Sequence, residues 1–470
     1  MDSTHAAGTD RTPQLSAARI DVAAVIDAAP LGALQRRVFG LCFLVSMLDG
    51  FDTQSIAFVA PSVSAQWHLP AASFGPIFSA TLLGSVVGAS IFGRLADRYG
   101  RRLFTVLTVA LFGVATLICA FARDRTDLLI CRLIAGIGLG GAIPNFMALA
   151  AEYAPKHLRS RIVVMTLWGF PLGAVVGGLL STALIRNFGW PSVFITGGVL
   201  PLLLIPVLIA WLPESIRFLA LRRAGREALC TVLGRIDTSR TFDARHDYVA
   251  SESTAATSGA FRMLFTEGRA ASTLLLSTAM FMSLLLSYML INWIPLLLQQ
   301  AGLPSGNAVL GAVALNLAGI IGSYFFSRRI DQTPRPITVM VTAYVLSAFA
   351  IVMIGRIGTS FGPIMATIFI TGFLLIGVQM TMSAFSANAY PTSLRGTGIG
   401  FIQSIGRIGS LLGPLAAGAL LSFGMTPSQL FHAAGIPALL AAASLLLLGW
   451  FRQSQNQGGT LTTARHQGPV

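Results

Sequence analysis

Ser46-Met-Leu-Asp-Gly-Phe-Asp-Thr-Gln-Ser55 sets two carboxylates, Asp49 and Asp52, inside the first long apolar segment of the chain, near residues 39–60. On insertion scales an ionised carboxylate near the centre of a bilayer costs roughly 2.5–3.5 kcal/mol. Two of them are tolerated there only where they are used. A spacing of three residues puts both on one helical face. That face is expected to look into a bundle interior or a watery cavity, where a proton or a polar substrate meets it.

The rest of the chain is built for lipid. Of its 470 residues, 54% are hydrophobic and 11% charged, and the mean hydropathy is +0.73; soluble domains carry about 25% charged residues. A spanning helix needs roughly 20 apolar residues. Twelve segments qualify, numbered here as helices 1 to 12: near 39–60, 72–95, 103–122, 127–151, 161–186, 191–212, 271–300, 306–327, 337–356, 361–390, 396–423 and 429–451.

A net charge of +14 in a soluble domain would suggest nucleic acid, but placement decides its meaning here. The N-terminus, the connections after helices 2, 4, 6, 8 and 10, and the C-terminus hold 26 of the 32 basic residues. The opposite connections hold Arg123, Arg125, Arg186 and Arg356. Both termini are therefore expected in the cytoplasm, with the bilayer and not nucleic acid as the partner. Cys42, Cys119 and Cys131 lie in apolar segments and Cys230 in a connection, so no disulfide framework is expected. The first thirty residues lack the basic and apolar regions of a cleaved signal, which leaves helix 1 as its own insertion signal. Lys156 is the sole lysine, an arginine bias in keeping with a GC-rich bacterium and its inner membrane.

Segment 213–270 divides the helices six and six, and the halves carry matching marks. Asp97 in Arg94-Leu-Ala-Asp-Arg98 is answered by Asp331 in Arg328-Arg-Ile-Asp-Gln332, 234 positions later. Arg159 in Pro155-Lys-His-Leu-Arg159 is answered by Arg395 in Pro391-Thr-Ser-Leu-Arg395, 236 later, and Gly173 and Gly177 by Gly409 and Gly413 at the same interval. The reading is an all-α membrane protein of two pseudo-symmetric six-helix bundles with a site between them near the midplane, the architecture of a secondary transporter. Its parts are an N-terminal tail (1–36), a first bundle (37–212), a linker (213–270) with short amphipathic helices near 214–235, a second bundle (271–451) and a C-terminal tail (452–470).

Gly93-Arg-Leu-Ala-Asp-Arg-Tyr-Gly-Arg-Arg102 is the strongest single motif. Its two glycines allow a tight turn and close approach, and Asp97 can pair with an arginine across a gate in one state and release it in another. Any membrane protein has positively charged inner loops. An aspartate framed by Gly93 and Gly100 among Arg94, Arg98, Arg101 and Arg102 argues for the gate. In the second copy Gln332 replaces Arg98, so that loop is expected to be the weaker latch. Glu152, Arg159 and Arg395, at equivalent helix ends, read as gate ion pairs.

Taken with Asn292-Trp-Ile-Pro295 in helix 7, Arg132 in helix 4 and Gly406-Arg-Ile-Gly-Ser-Leu-Leu-Gly-Pro414 in helix 11, the Asp49–Asp52 signature and the Gly93–Arg102 loop make the chain resemble the major facilitator superfamily. More narrowly, it resembles the aromatic acid:proton symporter family. The resemblance spans essentially the whole chain; the loop marks the superfamily, and helices 1 and 7 mark the family. It implies symport of benzoate-, hydroxybenzoate- or protocatechuate-like acids with protons, as supply to aromatic catabolism, by a functional monomer whose helix 1 carboxylates and buried arginines take part.

Carboxylates held away from water, or beside one another, take up and release protons closer to neutral pH. One of Asp49 and Asp52 is therefore expected to carry the proton; the alternative is that they cap a break at Gly50 or pair permanently with an arginine. Arg132 stands toward one end of helix 4, either as an anchor reaching for the interface or as a cation for substrate or for Asp49 or Asp52. Arg407 lies deeper, and its fork suits a substrate carboxylate. Tyr288 and Asn292 share a face of helix 7 and, with Trp293, suit a planar hydroxylated ring, although a tryptophan near a helix end also serves as an interfacial belt. Gln379 and Ser383 in helix 10 are polar at i, i+4 within an apolar run and are candidate cavity liners. No phosphate-binding loop, metal-binding histidine pair or nucleophile with its base is present, so no cofactor, metal or enzymatic site is expected. A symporter for dicarboxylates or sugar acids, a drug:proton antiporter and an aromatic-acid sensor are the competing functions.

Overall fold

Every one of the twelve apolar segments is helical in the computed structural model, which describes residues 19–222, 225–243, 245–249, 260–266, 268–358, 360–391 and 393–465. The expectations for residues 1–18, Ser251–Gly259 and 466–470 lie outside that range. Helices 1 to 6 run Ala33–Trp67, Ala71–Tyr99, Arg101–Cys119, Arg125–Tyr153, Arg159–Phe188 and Pro191–Trp211. Helices 7 to 12 run Ala270–Gln300, Ser305–Gln332, Pro336–Ile354, Phe361–Ala387, Arg395–Ser422 and Pro427–Arg452. Helix 1 is longer than expected at both ends. It starts at Ala33 because Gln35 reaches back to the Gly32 N–H at 2.9 Å, closing the first turn, and it ends where His68 adopts a φ of 51°. The backbone of helix 12 stays helical to Arg465, where a tail from 452 was expected.

Glycines set how the helices pack, and they display the duplication. A Cβ at Gly136 of helix 4 would collide with the Thr81 carbonyl of helix 2; a Cβ at Gly372 of helix 10 would collide with the Leu315 carbonyl of helix 8. Gly88 faces the Ile137 carbonyl as Gly322 faces that of Phe373, and Gly173 faces Met47 as Gly409 faces Phe281. Positions in helices 1 and 2 recur 234 residues later and those in helices 4 and 5 recur 236 later, so the two intervals seen in sequence belong to two pairs of helices. Backbones this close leave no room for side chains between them, as in small-residue interfaces of other membrane helices.

The halves meet along helices 1, 2 and 5 on one side and 7, 8 and 11 on the other. Among the described residues, every hydrogen bond between them lies in the part of the seam away from the linker: Ser79 Oγ to the Leu411 carbonyl (2.9 Å), Trp293 Nε1 to the Pro414 carbonyl (3.2 Å), and a Gln54–Asn316 pair. Gly75 and Gly418 abut at that closed end. Toward the linker the same helices are exposed on much of their surface.

Residues 19–28 do not form a free tail. Arg19–Asp21 pairs in parallel with Asp247–Val249 of the linker, and the helix Val22–Ala28 buries Val22, Val25 and Ile26 among Leu229, Leu233, Ile236 and Tyr248. Those three apolar residues fall on one helical face, which needs a cover. The linker supplies it with helices Ile216–Leu221 and Arg226–Ile236.

Candidate functional site

Asp52 and Arg132 form an ion pair in the interior of the first half. Both side chains are 0% exposed, and Arg132 Nη1 lies 3.0 Å from Asp52 Oδ1. Thr116 donates to the same oxygen at 2.8 Å, Arg132 Nη2 holds the Asp52 carbonyl at 2.9 Å, and Nε reaches Thr81 at 3.2 Å. The guanidinium also lies 5.9 Å from the centre of the Phe194 ring. Arg132 thus neither anchors its helix at an interface nor faces open space, as the expectation of a substrate contact required. A full set of partners inside the bundle holds it on Asp52. Sequence reasoning missed Thr81, Thr116 and Ser55 in this shell; their signal was a hydroxyl in each neighbouring span at the depth of Arg132.

Asp52 Oδ2 nevertheless stays buried with no partner, and Asp49, one turn earlier, shares that feature but has no ion pair. It is 1% exposed, its Oδ1 accepts from Thr53 at 3.1 Å, and its Oδ2 is buried with no partner, as is the hydroxyl of Ser46 three residues before it. The charge of Asp52 bears on Asp49, and that of Arg407, on helix 11 across the gap between the halves, reaches it more weakly and reaches Tyr288 of helix 7 as well. Arg407 was read as a deep, buried arginine. It is exposed instead, because the gap opens toward the linker there, and its side chain makes no ion pair or hydrogen bond among the described residues. Asp49 and Tyr288 thus lie within electrostatic reach of Arg407, while Asp52 is paired to Arg132. A free guanidinium fork beside a phenol and an incompletely satisfied carboxyl group can bind an anionic group and hold a proton.

The remaining candidates divide. Asn292 is buried and donates to the Tyr288 carbonyl at 2.8 Å, so it shapes helix 7 around Tyr288. Trp293 is neither a belt residue nor a ring platform for substrate: it is fully buried in the closed seam, edge-on to Phe78 at 5.3 Å and bonded to Pro414. Ser383 accepts from Gln403 of helix 11, and Gln379 is half-buried. The Gln54–Asn316 pair was not anticipated, although two amides inside apolar spans carry the same cost signal as the carboxylates.

At the linker end the loop residues form a network within one half. Asp97 pairs with Arg101 at 2.9 Å and Arg101 with Glu152 at 3.1 Å, while Ser215 donates to Glu152 at 2.6 Å. Glu214, absent from the sequence candidates, accepts the Arg101, Arg102 and Ser215 N–H groups at 2.7, 3.0 and 2.8 Å, placing a carboxylate on the N-terminus of helix 3. It directly follows the last proline after helix 6, at the membrane level of Gly100. Gly100 has a φ of 114° and Glu214 sits where its Cβ would be, so the glycine is required there. Gly93 is not: it lies inside helix 2, and a Cβ there would have nothing within 4 Å. Glu152 was expected to pair across the gate but engages Arg101 of its own half. Arg94, Arg98, Arg159, Asp331 and Arg395 are exposed, and no ion pair joins the halves among the described residues.

Comparison with known proteins gives this geometry a context. The chain matches the family model of the Major Facilitator Superfamily over residues 42–414 and 317–467. It is 38% identical to a gallate transporter of Pseudomonas putida over 93% of this chain and 96% of that one. It is also 38% identical to the 4-hydroxybenzoate transporter PcaK of Pseudomonas aeruginosa, over 93% and 98%. A 3-(3-hydroxy-phenyl)propionate transporter of Escherichia coli is 34% identical over 89% and 94%. In fold the chain is similar to a bacterial homologue of the human lysosomal transporter Spinster, solved inward-facing and occupied, with a TM-score of 0.71 at 17% identity over 90% and 98% of the chains.

Proposed function

The chain belongs to the Major Facilitator Superfamily, among relatives that are named transporters and not enzymes, and from that premise we propose that it imports an aromatic carboxylate together with a proton by alternating access. The names of its relatives, for gallate, 4-hydroxybenzoate and hydroxyphenylpropionate, supply the substrate class. The observation that carries the reading is that Arg407 and Asp49 have no ion pair among the described residues, whereas Asp52, whose Oδ2 is unsatisfied like that of Asp49, is paired to Arg132.

In this reading Arg407 takes the substrate carboxylate in a two-pronged hydrogen bond, and Tyr288 meets ring hydroxyls. Asp49, not Asp52, carries the proton, since Asp52 is neutralised by Arg132. Protonating Asp49 removes its attraction for Arg407 and frees the guanidinium for the acid. Proton and substrate thereby favour each other's binding, which is the coupling a symporter needs. The halves then rock about the filled site. The membrane is the bacterial inner membrane, the linker and both termini face the cytoplasm, and the working unit is a monomer. The open end of the structure is then the cytoplasmic end.

The test is uptake of labelled 4-hydroxybenzoate, protocatechuate, gallate and benzoate into liposomes holding the purified protein, with and without an inward proton gradient. Accumulation of an acid only with the gradient, and its loss on adding a protonophore, is the expected result. Asp49→Asn should lose gradient-driven accumulation yet keep exchange of labelled for unlabelled acid. Accumulation by Asp49→Asn equal to that of the unaltered protein would overturn the assignment of the proton.

A further inference from the structure

Gln54 and Asn316 bond to each other twice across the seam. Gln54 Nε2 donates to Asn316 Oδ1 at 3.1 Å, and Asn316 Nδ2 donates to Gln54 Oε1 at 2.9 Å, with a further bond to the Ala312 carbonyl one turn back at 2.8 Å. The side chains are buried, 1% and 3% exposed. Among the described residues this is the one place where side chains of the two halves hydrogen-bond to each other; the other bonds across the seam end on carbonyls. Other contacts at the closed end set Phe78 against Trp293, Gly75 against Gly418 and Gly178 against Val313.

We infer that the Gln54–Asn316 amide pair is a reversible latch at this end, which fixes the register of the closed seam, lets it reopen and so sets the balance between the two faces of the carrier. A seam closed by apolar contacts alone resists hydration and favours staying shut. One closed by two amides opens onto water without leaving polar groups unsatisfied, because water replaces both bonds. The pair therefore makes closure specific in register and reversible. It also lies on helix 1, one residue beyond the Thr53 that bonds Asp49 and two beyond Asp52. A tilt or turn of helix 1 as its carboxylate changes partner moves Gln54 against Asn316, so one helix carries both the coupling group and the latch. The latch rests on alternating access, but on neither the identity of the substrate nor the proton.

Spin labels at Phe121→Cys and Phe423→Cys, exposed positions at the closed end of each half, in a background with the four native cysteines replaced by alanine, read the opening as a distance distribution without any substrate. The starting protein should give a dominant short distance. Gln54→Leu or Asn316→Leu strands the surviving amide in the seam and should raise the long-distance population on the order of tenfold, the ratio expected from losing one or two net hydrogen bonds. The exchange Gln54→Asn with Asn316→Gln rebuilds the pair and should restore the starting distribution. Gln54→Leu with Asn316→Leu should shift it toward the short distance and slow exchange transport, since the seam then offers water fewer polar groups on opening. Single variants that elute as folded monodisperse protein with an unchanged distribution would overturn the latch. So would a double leucine variant that opens like the starting protein, and this second comparison decides the matter even where the single variants do not fold.

Discussion

Asp52 and Arg132 depend on each other more than any other two residues in the molecule. Each is a full charge at a site with no exposure; Arg132 is held by Asp52 and Thr81, and Asp52 takes Arg132 and Thr116 on Oδ1 while its Oδ2 has no partner. Arg132→Leu leaves an uncompensated carboxylate there and should lower stability by about 3–5 kcal/mol, whereas Asp52→Leu with Arg132→Leu removes both charges and should recover most of the loss. Thermal unfolding in detergent reads this directly; a double variant as unstable as the single would refute it. Asp49→Asn gives up one hydrogen bond from Thr53 and no ion pair, so its stability should stay within about 1 kcal/mol of the parent in the same assay. The sequence announced that two carboxylates in helix 1 and two arginines in the spans had to be used, because their insertion costs are local. It could not tell which carboxylate meets which arginine, since that depends on the rotation of helices 4 and 11 about their axes, which close-packed glycines set.

At the scale of elements, the Gly93–Arg102 motif contains two glycines with opposite requirements, one inside helix 2 and one just after it. Gly100→Ala forces a side chain into a φ of 114° and into the Glu214 carboxylate, so it should cost about 1–3 kcal/mol and detach the N-terminus of helix 3 from its acidic cap. Gly93→Ala meets nothing and should be neutral, or stabilising by about 0.5–1 kcal/mol through helix propensity. Paired melting curves of the two variants distinguish this from a loop in which both glycines turn the chain. Helix number and boundaries were legible because hydropathy and length fix them. The internal repeat was legible because its marks recur at fixed intervals, although the reason for two intervals emerged only from which helices each glycine touches. Glu214 and Asn316 were overlooked because their partners lie more than a hundred and more than two hundred and fifty residues away in sequence; the cost of an amide in an apolar span flags Asn316 but does not name its partner.

At the scale of the whole molecule, the chain's own beginning is built into the linker, through the Arg19–Asp21 ladder with Asp247–Val249 and the apolar face of Val22–Ala28. Val25→Asp with Ile26→Asp buries two charges in that small core and should release the segment, exposing residues 19–28 to protease within minutes while the twelve helices stay protected. Protection equal to that of the parent would mean that the contact contributes little. The halves, by contrast, are each welded by backbone contacts and joined by a side-chain seam, which suits them to move as two rigid bodies. The isolation of Asp52 on Arg132 bears finally on the electrical character of the cycle. In the proposed cycle, with that pair internally neutral, the charges that matter are one carboxyl group and one guanidinium: empty, they cancel, and loaded with one proton and one anion they cancel again. The moving parts then transfer no net charge in either direction, so clamping the voltage across a vesicle with potassium and valinomycin should leave accumulation unchanged, and the pH difference alone should set how far the acid is concentrated.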